Sequence, residues 1–225
     1  MEKMIDEIKD LHKLHIVTKD FNHIIEYQPG SWKMFEPSKF IYSFFAFNAL
    51  YNYNWTETIK HKELVTFSIE EDLSESQKFK KMIDFIFDNH FQEADSVEFI
   101  KTILRPNKRE NPRIKEELIR SLNGITADNR ITESKRESFK KEFIKLLYTE
   151  KLYRGKLKND LLIFVYLVRN NIFHGTKTTI EMTNLDQRFR LDIYSSILIA
   201  TNELLFKSLE RAFDFKLDKN YSLLI

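Results

Sequence analysis

From Leu161 to Val168 the chain reads Leu-Leu-Ile-Phe-Val-Tyr-Leu-Val, with no charge on any side. A segment apolar all round belongs in a core. Its β-branched residues alone fit a strand. The pattern, however, runs from Lys158 to His174 with no turn residue before Gly175. That length argues for a buried helix, with Gly175 as its C-terminal stop.

The other helices follow from spacing. Met4, Ile5, Ile8, Leu11 and His15 predict an opening helix to about Val17, and Pro29-Gly30 breaks the chain after it. Glu36-Pro37-Ser38 reads as a start signal, with Ser38 as N-cap of an apolar helix from Lys39 to Trp55. Further helices are expected over Ser74–His90 and Val97–Leu104, then from Pro112 to a stop at Asn123-Gly124, and over Ser134–Tyr148. Thr126–Glu133 reads as a polar loop and Thr176–Thr183 as a loop or short extended piece. Asp186–Phe213 is a long helix, with Phe189, Ile193, Ile197, Ala200, Leu204 and Leu205 along one face.

With only four Gly and four Pro in 225 residues, the chain lacks the turns that β and α/β folds use. An all-α fold in a single domain over 1–225 is therefore expected, with 42% hydrophobic residues to fill its core. No stretch approaches the roughly 18 apolar residues of a membrane span. The charged N-terminus, Met1-Glu2-Lys3-Met4-Ile5-Asp6-Glu7, has no signal-peptide core, so a cytoplasmic protein without a membrane partner is the expectation. The absence of Cys rules out disulfides, thiol nucleophiles and thiolate metal sites.

The net charge of +2 hides an asymmetry. Residues 105–158 hold 16 Lys/Arg against 8 Asp/Glu, which leaves the rest of the chain at −6. Such a basic stretch either meets a polyanion or is a solvated helical surface. Its cations include Arg105, Lys108, Arg109, Arg113, Lys140 and Lys141, weak candidates for RNA contact.

The buried helix ends in Arg169-Asn170-Asn171-Ile172-Phe173-His174. Arginine binds phosphate in a planar fork, and histidine exchanges protons near neutral pH. Together they have the chemistry to cut RNA without a metal. A histidine accepts the 2′-hydroxyl proton or protonates the leaving 5′-oxygen, while Arg169 stabilises the phosphorane-like transition state. On an ideal helix the two positions differ by about 140°, so they converge only in a frayed last turn or a broad cleft. The helix C-terminus favours protonated His174. Two copies at a symmetric dimer interface would supply both acid and base.

Arg169-Asn170-Asn171-Ile172-Phe173-His174-Gly175 resembles the signature of the HEPN superfamily, the higher eukaryotes and prokaryotes nucleotide-binding domains. Phe44-Phe45-Ala46-Phe47-Asn48-Ala49-Leu50-Tyr51-Asn52 is similar to the first core helix of prokaryotic, Apea-like members. The resemblance covers roughly 39–55 and 157–212. It implies a dimeric helical bundle with core helices near 39–55, 157–175 and 186–213, and a partly basic helical insertion at about 74–156. It also implies a metal-independent endoribonuclease for single-stranded RNA, needing no cofactor. The role would lie in toxin–antitoxin or phage defence, with an antitoxin or defence protein as a possible partner. By position, Arg169 and His174 would be catalytic and Asn170 would orient His174 or the phosphate. Thr176 stands where related toxins often carry a modifiable tyrosine, so that switch is not expected.

Asn48 and Tyr51 are polar within an apolar helix. They either form a core network or sit beside the cleft, contacting RNA or Arg169. His12, His15 and His23 lack an acidic partner at ligand spacing and read as solvated or core-edge histidines. No acid cluster suits a two-metal nuclease, and there is no glycine-rich phosphate loop. The competing readings are a non-catalytic HEPN-like dimeric module that binds RNA or a partner protein, and a helical structural protein whose motif is incidental.

Overall fold

Leu185–Phe213 is a helix of 29 residues, about 44 Å long, and nearly every side chain from Leu191 to Leu209 is buried. Such a helix must be wrapped, and other described helices pack around it. The computed structural model describes residues 2–26, 35–53, 73–88, 90–104, 114–125, 131–173 and 179–217. In chain order the helices are α1 (Glu2–Glu26), α2 (Phe35–Asn52), α3 (Glu75–Phe87), α4 (Glu93–Leu104), α5 (Ile114–Leu122), α6 (Glu133–Thr149), α7 (Ile163–Phe173), α8 (Thr179–Met182) and α9 (Leu185–Phe213). A π-helical segment, Lys156–Leu162, leads directly into α7. No strand occurs among the described residues. None of the described helices is long and apolar enough to cross a membrane.

The buried hydroxyls of α9 are satisfied locally. Ser195, Ser196, Thr201 and Ser208 each donate to the carbonyl four residues back, so these buried hydroxyls carry no unpaired donor. Asn184 caps the start by accepting from the Asp186 N–H, and Asp214 turns left-handed at φ 51° to end the helix.

Ion pairs fix how α2 lies on α9. Glu36 accepts two hydrogen bonds from Arg188, at 2.6 and 2.8 Å, and Lys39 pairs with Asp192. Phe40 then meets Tyr194, with ring centroids 6.3 Å apart. Both sequences ascend together, so α2 and α9 run in the same direction. Phe40, Phe44, Phe47 and Tyr51 form the buried stripe of α2 at helical spacing. By the same logic α1 and α4 run antiparallel to α9. His12 packs its ring on Phe206 at 4.8 Å, while His15 Nδ1 lies 3.4 Å from Asn202 Nδ2. Thr102 donates to Glu203 at 2.7 Å, while Asp95 binds Arg211.

The helices from 75 to 149 share this core. Phe79, Phe99, Phe139 and Phe143 belong to the same buried cluster as Tyr194 and Leu205. Phe139 stacks on Phe164 at 4.1 Å and 14°, tying α6 to α7. Ser74 and Gln77 form a capping box at the start of α3, and Thr132 caps α6.

Several expected boundaries shift. The opening helix continues past Val17 to Glu26, because neither Gly nor Pro interrupts it before Pro29. Helix α2 begins at Phe35, so Ser38 lies inside it rather than capping it, and it ends at Asn52 rather than Trp55. Pro37 is tolerated because first-turn N–H groups have no helical acceptor. The buried helix starts with a π-helical stretch rather than a plain α-helix. Within Thr176–Thr183, Thr179–Met182 forms one helical turn instead of an extended piece. The expected break at Arg105-Pro106, the start at Pro112, and the tail from 218 onward lie outside the described residues.

Asp95 is the most enclosed carboxylate in these contacts. It accepts from Arg211 Nη1 at 2.6 Å and Nη2 at 2.9 Å, and from the Gln92 N–H at 2.8 Å. Burial alone pushes its pKa up. Arg211, the Gln92 N–H and Lys207 outweigh burial and hold it below the usual carboxylate range. A lowered folded-state pKa contributes stability above the unfolded value near pH 4, and that stability is lost as pH falls through the folded value. Asp95→Asn is expected to cost about 3 kcal/mol at pH 7 by urea denaturation. The gap to wild type should begin to narrow below about pH 4 and close as pH falls through the lower folded-state value. An equal gap at pH 7 and pH 3 would show that charge plays no part.

Candidate functional site

The last three turns of α7 divide their faces by spacing. Phe164, Val168 and Asn171, at i, i+4 and i+7, are buried. Tyr166, Arg169 and Phe173, at i, i+3 and i+7, face α2. Tyr166 meets Phe44 at 6.4 Å, and Phe173 meets Phe45 at 6.2 Å and 59°. The arginine of the motif therefore lands on the aromatic wall of α2.

Arg169 is held between two rings. Its guanidinium carbon lies 5.1 Å from the Phe44 centroid and 4.8 Å from that of Phe173. Cation–π contacts of this kind contribute roughly 0.5–2 kcal/mol each, depending on desolvation. Nη1 donates to Asn170 Oδ1 at 2.9 Å. Nε is shielded from water and has no acceptor among the described residues. Other arginines are placed differently. Arg136 pairs with Glu133 and Glu137, Arg188 with Glu36 and Arg211 with Asp95. Arg190 serves Gln187 and the Ser121 carbonyl. No carboxylate pairs with Arg169 among the described residues.

His174 follows Phe173 directly in sequence and lies outside the described residues, as do Arg105, Lys108, Arg109 and Arg113. The described candidates fall into three places. Asn170 sits against Arg169. Lys140 and Lys141 are on α6, where Lys140 is mostly covered and pairs with Glu137 at 3.4 Å, while Lys141 is exposed. Asn48 and Tyr51 are on α2, one and two turns past Phe44. Tyr51 donates to Asn48 Oδ1 at 2.6 Å, and Asn52 Nδ2 reaches the same oxygen at 3.1 Å. The Tyr51 ring is buried against Phe47 and Phe79. Burial, and then the nearby Glu75 carboxylate, push its phenol pKa up, so it stays protonated throughout the physiological range.

His12 and His15 are buried against Phe206. Among the described residues, no three His, Asp or Glu side chains converge as metal ligands.

Sequence reasoning missed the aromatic seat. Phe45 belongs to a helix that reads as apolar almost all round, and Phe173 reads only as part of the motif, yet the two rings are 48% and 42% exposed and in contact. Tyr42 joins them, edge-on to Phe45 at 6.1 Å. The available signal was the spacing of Tyr166, Arg169 and Phe173, which puts an arginine between aromatics on one face.

No protein-family model matches the chain, and no curated protein and no solved structure matches it either.

Tyr51→Phe removes one hydrogen bond but leaves Asn48 Oδ1 with Asn52. It is expected to lower stability by about 1 kcal/mol in urea denaturation and to leave RNA affinity unchanged. Lost affinity at unchanged stability would instead place Tyr51 at the ligand.

Proposed function

We propose that this chain is an all-α, HEPN-like, dimeric endoribonuclease that cuts single-stranded RNA without a metal, with Arg169 and His174 as its catalytic pair. The observation that carries the reading is the seat of Arg169. A guanidinium near the end of the buried helix is fixed between Phe44 and Phe173, with no carboxylate partner among the described residues. An arginine held this way keeps its charge for a phosphate. His174, five residues on, brings a group that gives and takes protons near neutral pH.

In the proposed reaction the 2′-hydroxyl oxygen attacks the adjacent phosphorus. Its proton goes to a neutral His174. The bond to the 5′-oxygen breaks, and that oxygen takes a proton from a protonated histidine, supplied by the second copy of the chain. The products are a 2′,3′-cyclic phosphate and a 5′-hydroxyl. Arg169 stabilises the charge that builds on the non-bridging oxygens. Asn170, bound to Nη1, holds the fork in position. The basic stretch that includes Lys141 would add affinity by counterion release. A role in toxin–antitoxin or phage defence goes with this activity.

Purified protein should cut single-stranded RNA in EDTA and leave 5′-hydroxyl ends. Arg169→Ala and His174→Ala should each reduce cutting at least about 100-fold. Expression should slow growth, and His174→Ala should relieve it. Cutting that survives both substitutions, or that needs added Mg²⁺, overturns the assignment. RNA binding without cutting would leave a non-catalytic module.

A further inference from the structure

We propose that Phe45 and Phe173 form a base-stacking subsite that seats one unpaired nucleobase while the adjoining phosphate meets Arg169. The proposal rests on the RNA-directed reading of the motif and adds to it a place for the base.

Two large apolar rings on a helix surface are ordinarily covered. Phe45 and Phe173 are in contact with each other and still 48% and 42% exposed. Tyr42 braces Phe45 edge-on. Phe173 also lies against the Arg169 guanidinium, which contacts the buried Phe44 as well. The exposed apolar surface and a cation with no carboxylate partner among the described residues are thus one continuous feature. Its complement is a flat, apolar-faced group that carries a negative charge within a few ångströms. A nucleotide of a single strand has this chemistry, and a paired base does not, because its faces are already stacked.

The patch is too small to be a stable interface between copies on its own. Two half-exposed Phe rings offer on the order of 200 Å². A stable interface needs roughly 800 Å² from each partner. A purely apolar occupant would also leave the guanidinium unanswered beside it.

Binding, rather than cutting, tests the subsite. The probes are a fluorescein-labelled 2′-O-methyl RNA octamer, which lacks the attacking hydroxyl, and an abasic octamer of equal charge, both in EDTA. Wild type should bind the octamer with bases about tenfold or more tighter than the abasic one. Phe45→Ala/Phe173→Ala should lose that preference and bind both strands alike. Phe45→Tyr/Phe173→Tyr keeps the rings and should retain it, which separates stacking from any loss of fold. An equal affinity of wild type for both probes overturns the proposal. So does a double alanine variant that still discriminates, or one that only shifts the oligomeric state in sedimentation. Wild type that cuts RNA yet shows no base preference would lose the subsite and keep the nuclease. Base preference without cutting would do the reverse.

Discussion

Everything in this fold is arranged around the need to enclose α9. Burying it removes about twenty residues of helix surface from water, at ~25 cal/mol for each Å² of apolar area. Burial alone would let the surrounding helices slide. The charged anchors prevent that. Glu36 with Arg188 and Lys39 with Asp192 fix α2 along α9, and Asp95 with Arg211 fixes α4. Each pair is partly desolvated, so a shift of one helical turn would leave poorly hydrated charges without their partners. The apolar surface supplies the driving force, and the ion pairs select the alignment.

That alignment sets the position of the motif. Because Phe40 is fixed against Tyr194, Phe44 comes one turn further along α2 and Phe45 beside it. On the other side, Phe139 stacked on Phe164 holds α7 from below. Arg169 then falls on Phe44 as a consequence of packing at both ends. The π-helical stretch Lys156–Leu162 enters the same argument. A wider turn shifts the face of every later residue relative to a plain α-helix. It is held in place by Ser138 on Asp160 and by Glu142 on Lys156, both from α6.

The helical class and the long helix near the C-terminus were legible in the sequence, because scarce glycine and a 3.6-residue apolar period both point the same way. The helix stop at Asn123-Gly124 was legible for the same local reason. The π-helical stretch was not. In a run apolar on all sides, no polar residue marks where the face shifts. Helix α2 was misplaced at its start because Ser38 looks like a cap, whereas the pairing of Glu36 with Arg188, 152 positions away, draws the first turn into the fold. Within the site, Arg169 was legible from its chemistry. The exposure of Phe45 and Phe173 was not, since a phenylalanine reads as core until the neighbours are known.

The manner in which Arg169 is held bears on what it can do. A carboxylate about 4 Å away would attract it by roughly 4 kcal/mol near a protein surface, and an incoming phosphate would have to overcome that. Aromatic faces orient the guanidinium for about 0.5–2 kcal/mol each without cancelling its charge. They also leave Nε dry and without an acceptor among the described residues, as Arg136 Nε is too, a loss of about 1–3 kcal/mol. In Arg136, Arg188 and Arg211 the chain satisfies the charge with carboxylates. Arg169 has no carboxylate partner among the described residues and lies against the exposed Phe173 ring, one position before Asn170-Asn171-Ile172-Phe173-His174. A purely structural arginine at that point would have gained stability from an acidic neighbour. Among the described residues Arg169 is instead oriented by two rings and the Asn170 amide.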